Sequence, residues 1–374
     1  MNMLKVLYIT NESDSVCGST YSLADMLKSI GKCVTPYVVF ANKGKAYDYI
    51  SSLGYECYVI PYKLNNASTK YKLLKMIPRN IYIYNRIAIL RISQLVKNKQ
   101  ISIIHSNSSV VTVGYLAAMS IGIKHIWHIR EFQDLDFGIE PMGGWKKLKM
   151  MLKHSDASIC ITSAIANHFG LNNHPRNYII NDAVRSTNDV CCVLPKDKYL
   201  LFCGVVTENK GAERALNIFS KFSNKHPEYS LLFVGKIVPE YREYLQNVAK
   251  KYSVNDKILF VGFQNDVKPY FEKATALLMC SKNEAQGRVT IEAMFYGCPI
   301  IGFNSGGTKE IIKDGENGFL YDNEQEAVDK LELLIKDTSI NDSLITNAHK
   351  TAINSFSIEK YGEKLNLIYQ SLLK

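Results

Sequence analysis

The chain has no stretch of about 20 uninterrupted apolar residues, so no membrane-spanning helix is expected. Its most apolar window, Val110 to Trp127, is broken by Gly122 and by Lys124-His125, and reads as a helix followed by a buried strand. Met1 to Thr10 carries no extended apolar core and no small-residue cleavage site, so no signal peptide is expected. No C-x-x-C pair occurs among the nine cysteines. Their number is odd and several (Cys57, Cys160, Cys203, Cys280) sit in apolar, strand-like settings. That pattern argues against a disulfide framework or zinc ribbon and suits reduced core thiols in a cytosolic protein.

Acidic residues are missing from one long segment. Cys57 to Arg130 contains eleven lysines and arginines and no aspartate or glutamate. The net charge of +10 lies wholly in the first half: residues 1–190 hold 22 basic and 12 acidic side chains, and residues 191–374 hold 23 of each. Within the acid-free segment, Asn80 to Asn98 places Ile81, Tyr84, Ala88, Ile92 and Leu95 on a helical stripe. Lys70, Lys72, Lys75, Arg79, Arg86, Arg91, Lys97 and Lys99 supply a basic face. A basic amphipathic region of this kind predicts an anionic membrane surface as partner, acting through residues 57–130. Nucleic acid is the competing anion, but no nucleic-acid-binding motif accompanies the charge, so none is expected.

At 374 residues, 47% of them hydrophobic, the chain is expected to form two ordinary globular domains. Short apolar runs alternate with helical patterns, which predicts parallel sheets covered by helices. The most informative stretch runs from Ser281 to Asp322. Apolar Ala276 to Met279 reads as a strand, then come a glycine-bearing loop and a helix from about Arg288 to Tyr296. Pro299 to Gly302 reads as a second strand, and Gly306-Gly307-Thr308 opens another helix. Two strand–loop–helix units in a row bring helix N-termini to one sheet edge, where phosphate is favoured. Glu284 in the loop and Glu292 in the helix are suited to accept hydrogen bonds from sugar or ribose hydroxyls.

Glu284-Ala-Gln-Gly-Arg-Val-Thr-Ile-Glu292-Ala-Met, Gly297-Cys-Pro, Gly306-Gly307-Thr-Lys-Glu310 and Asp314-Gly-Glu-Asn-Gly318 together resemble the signature of retaining GT-B glycosyltransferases of family 4. The likeness covers about forty residues without a gap. It implies an α/β fold of two Rossmann-like domains facing across a cleft, with a C-terminal helix crossing back to the first. The boundaries expected are 1–190 for a basic, membrane-facing acceptor domain and 197–357 for the nucleotide-sugar domain. The crossover helix is placed at 358–374, and Thr187 to Asp197 is the linker.

The resemblance also implies residue roles. Lys210-Gly211 matches the family's Lys-Gly, whose base lies on the donor diphosphate. Val205 stands where the family has an arginine, and Arg288 is the candidate replacement. Glu292 is expected on the ribose and Glu284 on the sugar. His128, after a first-domain strand, is expected to contact the sugar. Catalytic roles therefore fall to Glu284, His128, Lys210 and Arg288. Donor contacts are expected from Gly18, Ser19, Gly287, Val289, Glu292, Gly306, Gly307, Thr308, Phe263 and Gln264, and acceptor contacts from Arg130 and Glu131. Asp134-Leu-Asp136 is a D-x-D expected in a loop without a second metal motif, and is read as chance. No metal or other cofactor is expected.

The activity implied is metal-independent, hexosyl-type transfer with retention, from a nucleotide-sugar to a hydroxyl of a lipid-linked glycan in surface polysaccharide synthesis (capsule, O-antigen or lipopolysaccharide). The expected location is cytoplasmic, peripheral at the inner face of the membrane. A nucleotide-sugar epimerase of the same fold and a non-catalytic donor-binding protein are the alternatives.

Overall fold

The computed structural model describes residues 3–68, 78–189 and 195–374. Lys70, Lys72 and Lys75, and residues 190–194 of the expected linker, lie outside them; the side chain of Arg79 does too. Two compact units form, one from Met1–Ala183 with Ile358–Lys374 and the other from Val184–Ser357. The division falls a few residues before the expected linker, because Val184 is already buried in the second unit and its N–H donates to the Phe356 carbonyl at 3.1 Å.

In the first unit the strands are β1 (Leu4–Thr10), β2 (Val34–Phe40), β3 (Glu56–Val59), β4 (Ala67–Ser68), β5 (Ile103–Asn107), β6 (Lys124–Ile129), β7 (Ile139–Glu140), β8 (Ala157–Cys160) and β9 (Asn177–Ile179). Seven build a parallel sheet in the order β3-β2-β1-β5-β6-β8-β9, and β4 and β7 pair antiparallel beside it. β1 shows why its sequence is apolar throughout. Val6 and Tyr8 enter one core layer and Leu7 and Ile9 the other, because helices cover both faces. The final helix, Ile358–Leu372, belongs to the first of these layers through Tyr361, Leu365, Ile368 and Tyr369. Gly362 permits its approach: a Cβ there would lie 1.9 Å from the Ser29 carbonyl oxygen of the helix Gly18–Ser29.

The second unit holds β10 (Tyr199–Cys203), β11 (Ser230–Val234), β12 (Ile258–Gly262), β13 (Ala276–Met279), β14 (Ile300–Phe303) and β15 (Phe319–Tyr321). All are parallel, in the order β12-β11-β10-β13-β14-β15. Helices Ala212–Ser223 and Glu324–Lys336 pack on one face, and Arg288–Phe295 and Thr338–Phe356 on the other.

Asn107 ends β5, and the helix that follows runs Thr112–Ile121. Residues 107–109 are taken up as polar partners of Arg130 and Glu131. Two local expectations are corrected. Asp134-Leu-Asp136 lies in the one-turn helix Asp134–Phe137 rather than a loop, with Asp134 paired to His168 at 3.0 Å and Asp136 accepting from the Phe132 N–H at 2.8 Å. The acid-free segment is also less cationic in space than in sequence. Lys99 pairs with Glu56 (2.7 Å), Lys124 with Asp156 (3.0 Å) and Arg130 with Asp182 (2.7 Å). Lys63, Arg86, Arg91 and Lys97 remain exposed.

Candidate active site

Strand order reverses between β10 and β13, so the loops that follow these neighbours leave to opposite faces and open a crevice at their carboxyl ends. The loop after β10 leads through exposed Val205 to Lys210 and Gly211. The loop after β13 carries Glu284 and ends at Gly287, whose φ of +89° caps the helix Arg288–Phe295 in a left-handed conformation that favours glycine. The two loops meet through an ion pair: Lys210 Nζ lies 2.7 Å from Glu284 Oε2, with the glutamate side chain 11% exposed and the lysine 44%. The contact is built by close backbone approach. A Cβ on Gly211 would meet the Cys280 carbonyl oxygen at 2.2 Å.

Gly306 and Gly307 act in the same way from the end of β14. Their Cβ positions fall 2.6 Å from the Glu284 oxygen and 2.4 Å from the Ala285 oxygen. The Gly307 N–H donates to the Glu284 carbonyl at 2.7 Å. It is thus engaged within the protein, and the pair's visible work is to hold the Glu284 loop. Thr308 opens the short helix Thr308–Ile311, fully buried, and its hydroxyl has no partner among the described residues.

Arg288 stands half-buried at the first position of its helix, with Val289 beside Gly204. Glu292, one turn on and also half-buried, lies close enough to Cys203 and Tyr296 to raise both their pKa values, on top of the larger effect of burial. Phe263, just past β12, is 55% exposed, and Gln264 Nε2 donates to the Val261 carbonyl at 3.4 Å. The structure adds a cation that sequence reasoning missed. Lys236, two residues past β11, holds its Nζ 5.1 Å from the Phe263 ring centre. Its signal in the sequence was the Gly235-Lys236 that ends an apolar strand, the same punctuation as at the neighbouring strands. The carboxyl edge of this sheet thus gathers Lys210, Lys236, Arg288, Glu284, Glu292 and an exposed aromatic ring.

The first-unit residues are placed differently. His128 lies within β6, fully buried, and Arg130 and Glu131 are 9% and 8% exposed. His128 is therefore closed to a sugar in this structure, because its position in the strand turns it with Ile126 into the layer under the final helix. Arg130 Nε binds both oxygens of Asp182 (3.0 and 2.7 Å), while its other nitrogens meet Asn107, His128 (3.2 Å) and Tyr361 (3.4 Å). Glu131 accepts from Ser108, the Ser109 N–H (3.2 Å) and the Ser109 hydroxyl (3.0 Å), and burial raises its carboxyl pKa. These are internal contacts, and none presents a charged group to an acceptor.

A guanidinium only donates, so His128 Nδ1 must accept from Arg130 and from His105 Nε2 at 3.2 Å. His105 Nδ1 then accepts from Tyr369, whose hydroxyl is 2.9 Å from that of Tyr8. Both rings are neutral, as burial and then neighbouring positive charge hold them well below the usual histidine range. Gly18 and Ser19 sit at the start of the helix Gly18–Ser29, with Gly18 exposed and open space around it; the Cys17 N–H is capped by the Thr20 hydroxyl at 3.4 Å.

Residues 193–351, almost the whole second unit, match the family described as Glycosyl transferases group 1. An uncharacterized glycosyltransferase of Haemophilus influenzae is 28% identical over 67% of this chain and 71% of its own length. The lipopolysaccharide core biosynthesis glycosyltransferase LpsE of Rhizobium meliloti is 24% identical over 60% of this chain and 66% of its own, slightly under two thirds of that relative. Among solved structures, Anabaena Alr3699/HepE in complex with UDP superposes with a TM-score of 0.82 over 98% of this chain and all of that one, at 16% identity. That likeness establishes the fold as GT-B. Together the family match and the relatives support a GT-B glycosyltransferase.

Proposed function

We propose that the chain is a retaining glycosyltransferase that moves a hexosyl group from a nucleoside-diphosphate sugar to a hydroxyl of a lipid-linked glycan. The observation that carries this reading is the Lys210–Glu284 pair at the switch point of the second sheet, next to the helix that bears Arg288 and Glu292. In the proposed step the bond from the sugar C1 to the diphosphate oxygen breaks and the acceptor oxygen bonds to C1 on the same face. The acceptor proton passes to the leaving phosphate. Lys210 and Arg288 stabilise the negative charge that develops there, with Arg288 supplying the cation that Val205 does not. Glu292 accepts from the ribose hydroxyls, and Glu284 from the sugar. Phe263 with Lys236 flanks the base. The scheme calls on no metal. The solved relative's UDP and LpsE's place in lipopolysaccharide core synthesis support a uridine donor and a glycan acceptor.

The test is thermal stability of the purified protein with UDP, GDP and ADP and their sugar conjugates, with and without chelator. Binding to the folded state alone adds about 2.7 kcal/mol at a hundredfold excess over Kd. A shift with one base, lost in Glu292→Ala and weakened at least tenfold in Arg288→Ala, is expected. No shift with any nucleotide would overturn the donor assignment, and Arg288→Ala binding and turning over like the wild type would remove the replacement role.

A further inference from the structure

The helix Pro78–Lys99 shows one face that nothing in the described residues covers. Its inward face buries Ala88, Ile92 and Val96 in the core layer shared with the helix Thr112–Ile121. Its outward face consists of Ile83, Arg86, Ile87, Leu90, Arg91, Gln94 and Lys97, all exposed. Three of these are large aliphatic side chains, and they are not marginal: Ile83 is 59% exposed, Ile87 60% and Leu90 70%. Spaced i, i+4, i+7, they form a continuous row about 10 Å long. At 3.6 residues per turn Arg86 and Lys97 fall on one side of that row and Arg91 on the other.

We infer that this face is a membrane-docking surface: Ile83, Ile87 and Leu90 enter the boundary of an anionic lipid layer while Arg86, Arg91 and Lys97 reach the headgroups. Scattered exposed aliphatics need no explanation, but an aligned row of three flanked by cations on both sides does. The charge supports lipid over a second copy. No carboxylate occurs between Cys57 and Arg130, so two such faces together would bring arginines against arginines. Three side chains are also far less than the roughly 1,200 Å² that a stable protein interface buries. No helix among the described residues is long and apolar enough to cross a membrane, so the contact is interfacial. The inference sharpens the lipid-linked-acceptor reading but does not depend on the transfer chemistry.

The full-length protein is floated with vesicles of phosphatidylcholine alone and with about one third phosphatidylglycerol, at low and high salt. Binding to the anionic vesicles only, weakened by salt, is expected. Arg86→Gln/Arg91→Gln should lose about fivefold in partitioning per arginine. Ile83→Ser/Ile87→Ser/Leu90→Ser should lose at least tenfold even at low salt while melting like the wild type, since all three side chains are exposed. Equal binding by the triple variant overturns the inference. So does a concentration-dependent dimer that this variant abolishes, which would make the face a contact between copies. A wild-type protein that leaves anionic vesicles unbound but keeps its nucleotide-induced shift refutes the docking surface alone; wild-type vesicle binding with no nucleotide shift refutes the donor site alone.

Discussion

Asp182→Asn should destabilise the first unit severely. Asp182 is 3% exposed and holds the Nε of an arginine that is 9% exposed. Replacing the carboxylate with an amide keeps the shape and leaves the guanidinium charge buried without its hydrogen-bonded carboxylate. Breaking a buried pair from one side costs about 3–5 kcal/mol. The amide oxygen can still accept one bond, so the lower end, about 3 kcal/mol, is expected. For a unit of this size that is roughly 6–12 °C in Tm. Both tryptophans, Trp127 and Trp145, belong to the first unit, so their fluorescence reports its unfolding selectively. Removing both charges in Arg130→Met/Asp182→Leu should cost less than Asp182→Asn, because no uncompensated charge remains. An Asp182→Asn protein whose fluorescence midpoint stays within about 1 kcal/mol of the wild type, or a double variant that falls further than the single, would refute the account of Arg130 as a buried charge that depends on this partner.

The same fluorescence should show stability falling as pH drops below about 6.5. His105, His125 and His128 all have folded pKa values lowered by burial, His125 to about 3, so the unfolded chain binds more protons below the unfolded value. Each contributes up to about 1.4 kcal/mol per pH unit, present in full above pH 6.5 and lost on acidification. Glu131, its carboxyl pKa raised by burial, works in the opposite direction between its unfolded and folded values and offsets about one proton. A flat profile from pH 7 to 5 would contradict the neutral assignment of the histidines. In the second unit, Gly307→Ala places a Cβ 2.4 Å from the Ala285 oxygen and 2.8 Å from the Gln286 Cα, both backbone atoms. The loop must move, taking Glu284 with it; a loss of about 2 kcal/mol and weaker nucleotide binding are expected, and an unchanged melting point would show that the loop yields freely.

The second-unit site was legible because the information there is local. Strand, glycine, helix N-terminus and carboxylate follow one another within a few residues of the chain, so the order of residues alone places Glu284, Gly287, Arg288 and Glu292. What escaped was whatever depends on a partner distant in sequence. Lys210 and Glu284 both stand out in the sequence, but their 74-residue separation hides the ion pair that joins them. The Gly-Gly at Gly306 and Gly307 reads as a phosphate cradle, while its N–H at Gly307 goes to the Glu284 carbonyl.

The first unit shows the larger failure of local reading, and its cause is physical. His128, Arg130 and Glu131 at a strand's end look like chemistry exposed at a sheet edge. In a parallel sheet covered on both faces, however, every strand residue but the last faces a helix. Tyr8, His105 and His128 line one layer of β1, β5 and β6, and their partners Tyr361 and Tyr369 come from a helix more than two hundred residues later. The polar residues of that helix, eight apart, match the polar row across the strands. Neither row alone says whether it awaits a ligand or another part of the chain. Arg130 joins the two points where the chain changes units, binding Asp182 just before it leaves the first and Tyr361 just after it returns. A charge that would be costly to bury anywhere else is kept where it fixes both crossings. It therefore positions the chain rather than a substrate, and its loss should appear in unfolding before it appears in donor binding.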